Sequence, residues 1–213
     1  MLDNNLQFDS FHFDSLTIEA LDTFNYLEKD QYLQSEFPFR ERAFSTAIVS
    51  GNQLTWSGPT SFYQDKNLNQ YAGGIDRFFQ PLCDAFRNEV VSLILSQRNE
   101  RFFSLNSYEI GVHQLRILCE DDQMGYPVPE GPHQDGFDFV AIHCMNIFNT
   151  SGGVTSLFSH LPDGELVFQE CLNAGQGVIV DDREIFHYTS PISSIDGTFG
   201  CRDMCVITYK RIL

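Results

Sequence analysis

The chain has 213 residues, 42% of them apolar and 14% aromatic, enough to bury the core of one domain of somewhat more than average size. Lys and Arg total 13 against 29 Asp and Glu, and the resulting net charge of -16 repels phosphate backbones and anionic lipid, so no nucleic-acid partner and no membrane partner is expected. No run reaches the roughly 18 to 20 apolar residues of a membrane span, and the opening MLDNNLQFDS lacks the basic-then-apolar plan of a signal peptide, so a cytoplasmic protein is expected.

Residues 1–100 read as a helical part that packs on a barrel formed by residues 101–213, the two making a single domain. Leu16, Ala20, Phe24 and Leu27 fall near helical spacing. A longer pattern follows Gly73 and Gly74: Pro81 suits a first helical turn, and Leu82, Phe86, Val90, Leu93, Ile94 and Gln97 then run along one face. Beyond residue 102 the texture changes to short extended runs separated by Gly, Pro, Asn and Asp. SYEIGVHQLRILCE, DFVAIHCMNIF, GVTSLFS, GELVFQEC, GQGVIVDD, EIFHYTSPI and DMCVITYKRIL each read as a strand or strand-bearing segment. Helices followed by such strands predict a mainly β fold with flanking helices: a double-stranded β-helix, the small jelly roll of cupin-like proteins. Cys83, Cys119, Cys144, Cys171, Cys201 and Cys205 include no CxxC pair and are expected to be reduced core residues.

The segment GPHQDGFDF raises the chemical question. In extended backbone His133 and Asp135 point the same way, so an imidazole and a carboxylate can meet at one metal ion. A third ligand must return from far along the chain, and His187, just past the strand GQGVIVDD, is the best placed. Two histidines and one carboxylate leave coordination positions open, as in the facial triad of non-haem iron oxygenases. An isolated HxD is weak evidence, and Arg202 sharpens it. By parity Arg202, Met204, Val206 and Thr208 share one strand face, so the arginine is expected to point into the barrel, where a buried cation needs an anion.

This order of HQD, distal histidine and inward arginine resembles the Fe(II)- and 2-oxoglutarate-dependent dioxygenases. PVPEGPHQDGFDFV, NTSGGVTSLF, VIVDDREIFHYTSPI and GCRDMCVITYK further resemble the bacterial subgroup that hydroxylates free aliphatic amino acids, typified by isoleucine 4-hydroxylase. The resemblance spans about residues 70–213. It implies that His133, Asp135 and His187 hold Fe(II), that Arg202 grips the distal carboxylate of 2-oxoglutarate, and that O2 oxidises an unactivated C–H bond of a small amino acid, with thioether sulfoxidation a related outcome. Related halogenases put a small residue where this chain has Asp135, so hydroxylation is the expected reaction.

Arg116 alternates with the apolar residues of VHQLRILCE. If His113, Leu115, Ile117 and Cys119 pack on the helices, Arg116 faces the barrel, where it binds a substrate carboxylate or helps hold the cosubstrate; a structural salt bridge is the alternative. Glu130, Asp181 and Asp182 either orient the site or are solvated loop charges. Gly152 and Gly153 suit a tight turn. His12, His113, His143 and His160 are expected to be structural. Trp56, Phe62, Tyr63 and Tyr71 occupy the segment where members of this superfamily supply a lid, although core packing explains each alone. The rival readings are an oxygenase for a larger peptide or carrier-bound substrate, a non-catalytic metal-binding cupin-like module, and a zinc hydrolase. Monomer and homodimer are equally compatible with the acidic composition.

Overall fold

Alternation of side chains divides the buried residues of the large sheet between its two faces, and the computed structural model describes residues 7–33, 35, 37–69, 72–96, 107–159 and 164–212. The strands in chain order are β1 (Phe8–His12), β2 (Arg40–Ser50), β3 (Gln53–Trp56), β4 (Tyr108–Cys119), β5 (Phe139–Phe148) and β6 (Thr150–Gly152). They continue with β7 (Thr155–Phe158), β8 (Leu166–Glu170), β9 (Gln176–Asp181), β10 (Phe186–Thr189), β11 (Ile192–Ser194) and β12 (Gly200–Arg211). The large sheet has the order β1, β9, β5, β12, β4, β2, β3; β10, β7, β8 and β11, β6 form two smaller ones. The fold is a jelly roll of mainly antiparallel strands.

In β12, Cys205, Ile207 and Tyr209 belong to the core under the helices, whereas Met204 belongs to the core between the sheets. Neighbouring strands repeat the rule: Ala141 and Ile110 face the helices, while Val140, Ile142 and Leu115 face the barrel. The helical layer is α1 (Ile18–Asp22), a 3₁₀ turn (Thr23–Tyr26) and α2 (Asp84–Ser96). Thr17 caps α1, its hydroxyl accepting from the Ala20 N–H at 3.3 Å, and Phe24 meets Phe86 edge-on at 5.6 Å.

Every predicted strand segment contains a strand, and the apolar positions of both helical patterns are buried. The expected helical character of residues 1–100 is corrected by β1, β2 and β3, which enter the large sheet. Pro81 lies ahead of α2 rather than in its first turn, because Gln80 is bound to the edge of β2: its carbonyl accepts from Phe44 N–H at 2.9 Å. Gln97, Tyr71 and His160 lie outside the described residues. All six cysteines are free; Cys83 and Cys171 are exposed, contrary to the expectation of uniform burial.

Candidate active site

A turn and a short strand bring the predicted triad together. His133 and His187 exchange backbone hydrogen bonds, His133 N–H to His187 O at 3.1 Å and the reverse at 2.9 Å, so the HxD turn is pinned to β10. The ligand atoms of His133, Asp135 and His187 all lie within 4.8 Å of one another. Asp135 Oδ1 is 3.4 Å from His133 Nε2, and its Oδ2 is 3.5 Å from His187 Nε2. Gly131 O lies 3.1 Å from His133 Nδ1, which places the proton on that nitrogen and leaves Nε2 as the ligand atom.

Asp182 fixes the turn from behind. It is 1% exposed, and its carboxylate accepts from the backbone N–H groups of Asp135, Gly136 and Phe137 at 3.1, 2.7 and 2.9 Å. It also lies 3.4 Å from His187 Nε2. Burial opposes a charged His187, yet the carboxylates of Asp135 and Asp182 outweigh it and push the imidazole up to about 10. Burial likewise opposes a charged Asp135, but His133 and His187 hold its carboxyl well below the usual range. The site demands positive charge where these groups converge. His187 Nε2 is buried without a hydrogen-bond partner, so a cation bound there satisfies both the orphaned nitrogen and the two carboxylates. The residues therefore fit a divalent metal.

Arg202 lines the same cavity, together with Met204, Val206 and Thr208 of β12, and is 1% exposed. Its Nη2 donates to Leu172 O at 2.8 Å, Nη1 approaches Cys171 Sγ at 3.6 Å, and its buried Nε has no partner. Gly153, at φ +69°, makes room for it: a Cβ there would lie 2.8 Å from Nη1.

Arg116 faces the other way. Its Nε and Nη2 donate to the two oxygens of Asp203 at 2.6 and 2.9 Å, and Nη1 donates to Asn25 Oδ1 at 2.7 Å. The assignment of its side chain to the barrel is corrected. Parity distinguishes two faces of β4 without saying which the helices cover, and they cover that of Ile110, Val112 and Arg116.

The opposite face carries His113, expected to be structural but lining the cavity beside Arg42 of β2. Arg42 Nη2 lies 2.6 Å from His113 Nδ1; since guanidinium only donates, Nδ1 must accept and the imidazole is neutral. Burial and Arg42 hold His113 well below its ordinary value. Sequence reasoning also passed over Arg40, Arg42, Gln64, Asn69 and Arg77, all of which line the cavity. Gln64 Nε2 donates to Asp135 Oδ1 at 2.8 Å, and its Oε1 accepts from Arg77 Nη2 at 2.7 Å. Of the acids Glu130, Asp181 and Asp182, Glu130 lines the cavity and Asp182 holds the turn of Asp135, whereas Asp181 pairs with Arg183 at 2.6 Å. Phe62 lines the cavity and Tyr63 is exposed; Trp56 lies under the Arg87 guanidinium, 5.3 Å from its ring centroid.

A jelly roll with two histidines and a carboxylate converging at one cavity defines the scaffold of a non-haem metal enzyme. A family model described as 2OG-Fe dioxygenase matches residues 21–208, and the chain belongs to that family. It is therefore a dioxygenase that uses Fe(II), 2-oxoglutarate and O2. It is 27% identical over 204 residues to an L-isoleucine-4-hydroxylase of Bacillus thuringiensis, covering 92% of this chain and 82% of that protein. A 3(1)-hydroxy-L-isoleucine 4-dioxygenase of Pantoea ananatis (strain AJ13355) is 24% identical over 168 residues, 75% of this chain and 67% of that one. Among solved structures, a bsmA homolog from Methylobium petroleophilum PM1 superposes with a TM-score of 0.69 at 25% identity, covering 90% of this chain and 81% of its own. IDO from Bacillus thuringiensis gives a TM-score of 0.71 at 19% identity, covering 92% and 82%. No helix among the described residues is long and apolar enough to cross a membrane.

Proposed function

We propose that this dioxygenase hydroxylates an aliphatic C–H bond of a free L-amino acid of the isoleucine, leucine or methionine type. In this reading His133, Asp135 and His187 hold Fe(II), and Arg202 grips the distal carboxylate of 2-oxoglutarate through charge-assisted bonds. Bound iron supplies the oxidative chemistry by which 2-oxoglutarate and O2 become succinate, carbon dioxide and one oxygen atom on the substrate. The single observation that carries the reading is Arg202: a buried guanidinium with an unpartnered Nε, lining the same cavity as the triad. A module that only stored metal would have no use for it. The substrate class is supported by the names of the two amino-acid-oxidising relatives and by Leu115, Ile142, Met204 and Val206, which give the cavity an apolar lining and keep water from the reacting carbon.

The remaining residues hold geometry. Gln64 and the Asp182-bound turn fix Asp135, Gly131 fixes the tautomer of His133, and neutral His113 buttresses Arg42. The test is anaerobic reconstitution with Fe(II), then oxygen and 2-oxoglutarate with a panel of free L-amino acids, followed by mass spectrometry. Succinate coupled to a gain of one oxygen on an aliphatic amino acid, and lost in His133→Ala, is the expected result; sulfoxide from methionine would extend it to thioethers. Succinate without such a product would point to a larger peptide or carrier-bound substrate. No 2-oxoglutarate turnover despite bound iron would sink the enzymatic assignment of these residues.

A further inference from the structure

Cations in the cavity outnumber the carboxylates that could satisfy them. Arg40, Arg42 and Arg77 all line it, at 9%, 7% and 2% exposure. Asp30 is bonded to Arg40 at 2.8 Å, and its nearest approach to Arg42 is 4.0 Å. Among the described residues Arg77 has no carboxylate within ion-pair distance; Gln64 Oε1, a neutral acceptor, takes its one side-chain hydrogen bond. Apart from that distant contact with Asp30, Arg42 rests on neutral groups: His113 Nδ1 at 2.6 Å, and the rings of Phe79 and Phe62 at 4.3 and 5.1 Å. The Nε atoms of both Arg42 and Arg77 are buried without a partner. Arg42 thus shares a single carboxylate with Arg40, and Arg77 has none in reach among the described residues; burying guanidinium groups with so little counter-charge is costly, so the site favours an anionic ligand.

Three observations identify the anion. Arg42 is paired in register with Leu115, and Leu115 with Met204, so Arg42 stands two strands from the β12 row that carries Arg202, roughly 10 Å at ordinary strand spacing. The cavity thus has two separate cationic receptors, for two ligands. The second receptor also carries an acid: Gln64 Oε1 accepts from both Arg77 Nη2 and Asn69 Nδ2, and Asn69 Nδ2 lies 3.2 Å from Glu130 Oε1. A cation and a carboxylate joined by two amide side chains suit a ligand that bears both charges. Finally, Gln64 also holds Asp135, so this receptor is fastened to the metal triad.

We propose that Arg42 and Arg77 form the receptor for the α-carboxylate of the amino-acid substrate, and that Glu130 receives its ammonium group. This assignment rests on the amino-acid reading above and deepens it: a substrate whose carboxylate is tied up in a peptide or carrier linkage leaves the two arginines unneutralised.

The test is equilibrium binding by calorimetry to the anaerobic Fe(II) and 2-oxoglutarate complex, with no turnover. L-isoleucine, L-leucine and L-methionine are compared with their primary carboxamides, which keep the ammonium and the side chain. Wild-type protein is expected to prefer the acids by at least about 10-fold, the scale of a hydrogen-bonded charge pair. Arg77→Met is expected to remove that preference by weakening the acids alone, while 2-oxoglutarate affinity stays unchanged; Arg77→Lys should retain part of it. Equal wild-type affinity for acid and carboxamide overturns the assignment without any variant having to fold, as does an Arg77→Met protein that keeps the preference or weakens both ligands equally. Wild-type protein that binds 2-oxoglutarate but none of the amino acids removes the amino-acid reading itself, and this assignment with it.

Discussion

Asp182 does more for the metal centre than its loop position suggests. Its carboxylate takes three consecutive backbone N–H groups and so sets the course of the chain through Asp135, while facing His187 Nε2. An Asp182→Asn protein keeps the shape of the side chain but loses the charge and one acceptor. We expect Fe(II) affinity to fall about 10- to 100-fold, the usual scale for residues that orient metal ligands, with the circular dichroism spectrum unchanged. Unchanged metal affinity would reduce Asp182 to a turn residue. The HxD pair was legible because its spacing is local; Asp182 was only a candidate, since no sequence pattern reveals which acid accepts a turn's amides.

At the scale of elements, the Arg116 pair shows what periodicity leaves open. Arg116 and Asp203 are register partners on β4 and β12, clasped beneath Asn25 of the 3₁₀ turn. Removing one partner of a buried pair strands the other, so Arg116→Met is expected to destabilise the protein by about 3 kcal/mol in denaturant unfolding without changing 2-oxoglutarate affinity. Arg116→Met with Asp203→Leu should recover most of that loss, and a double variant no more stable than the single would contradict the pairing. Strand β2 went unread for a related reason. Its inward face carries Arg40 and Arg42 where an ordinary strand would carry apolar residues, so the alternation that marks a strand is erased by the residues that line the cavity. Gln64 and Arg77 come from irregular chain, where no period exists to place them. In β12, by contrast, parity sufficed to set Arg202, Met204, Val206 and Thr208 on one face, all at the cavity.

For the whole molecule, acid stability has an identifiable buried contributor. His143 is fully buried on β5, its Nδ1 donating to Cys205 O at 3.0 Å between the rings of Phe11 and Phe13. Burial pulls it down from 6.5 to about 4, with the Cys205 carbonyl opposing that shift. The unfolded chain therefore takes up the proton first. The stability from neutral His143 is complete above about pH 6.5 and is lost as the pH falls toward 4, a total of about 3 kcal/mol. His143→Asn keeps an N–H donor without the titration, so its unfolding free energy is expected to vary less steeply with pH in that window. Parallel curves for the two proteins would refute the contribution.

The mutual backbone bonds of His133 and His187 join a turn to β10, a strand of four residues, whereas β12 is paired with β4 along its whole length. Iron held by both histidines would then act as a clasp across the seam between the sheets, a cross-link that closes a long loop of chain without a covalent bond. Hydrogen exchange on anaerobic addition of Fe(II) is expected to slow at the amides of His133 and His187 and to leave those of β12 nearly unchanged; uniform slowing would mean that the metal stabilises the fold as one unit. The jelly roll in that case tolerates loss of its metal in the large sheet and registers it in the sheet of β10, β7 and β8, so that an ion needed for the chemistry would also lock the seam around it.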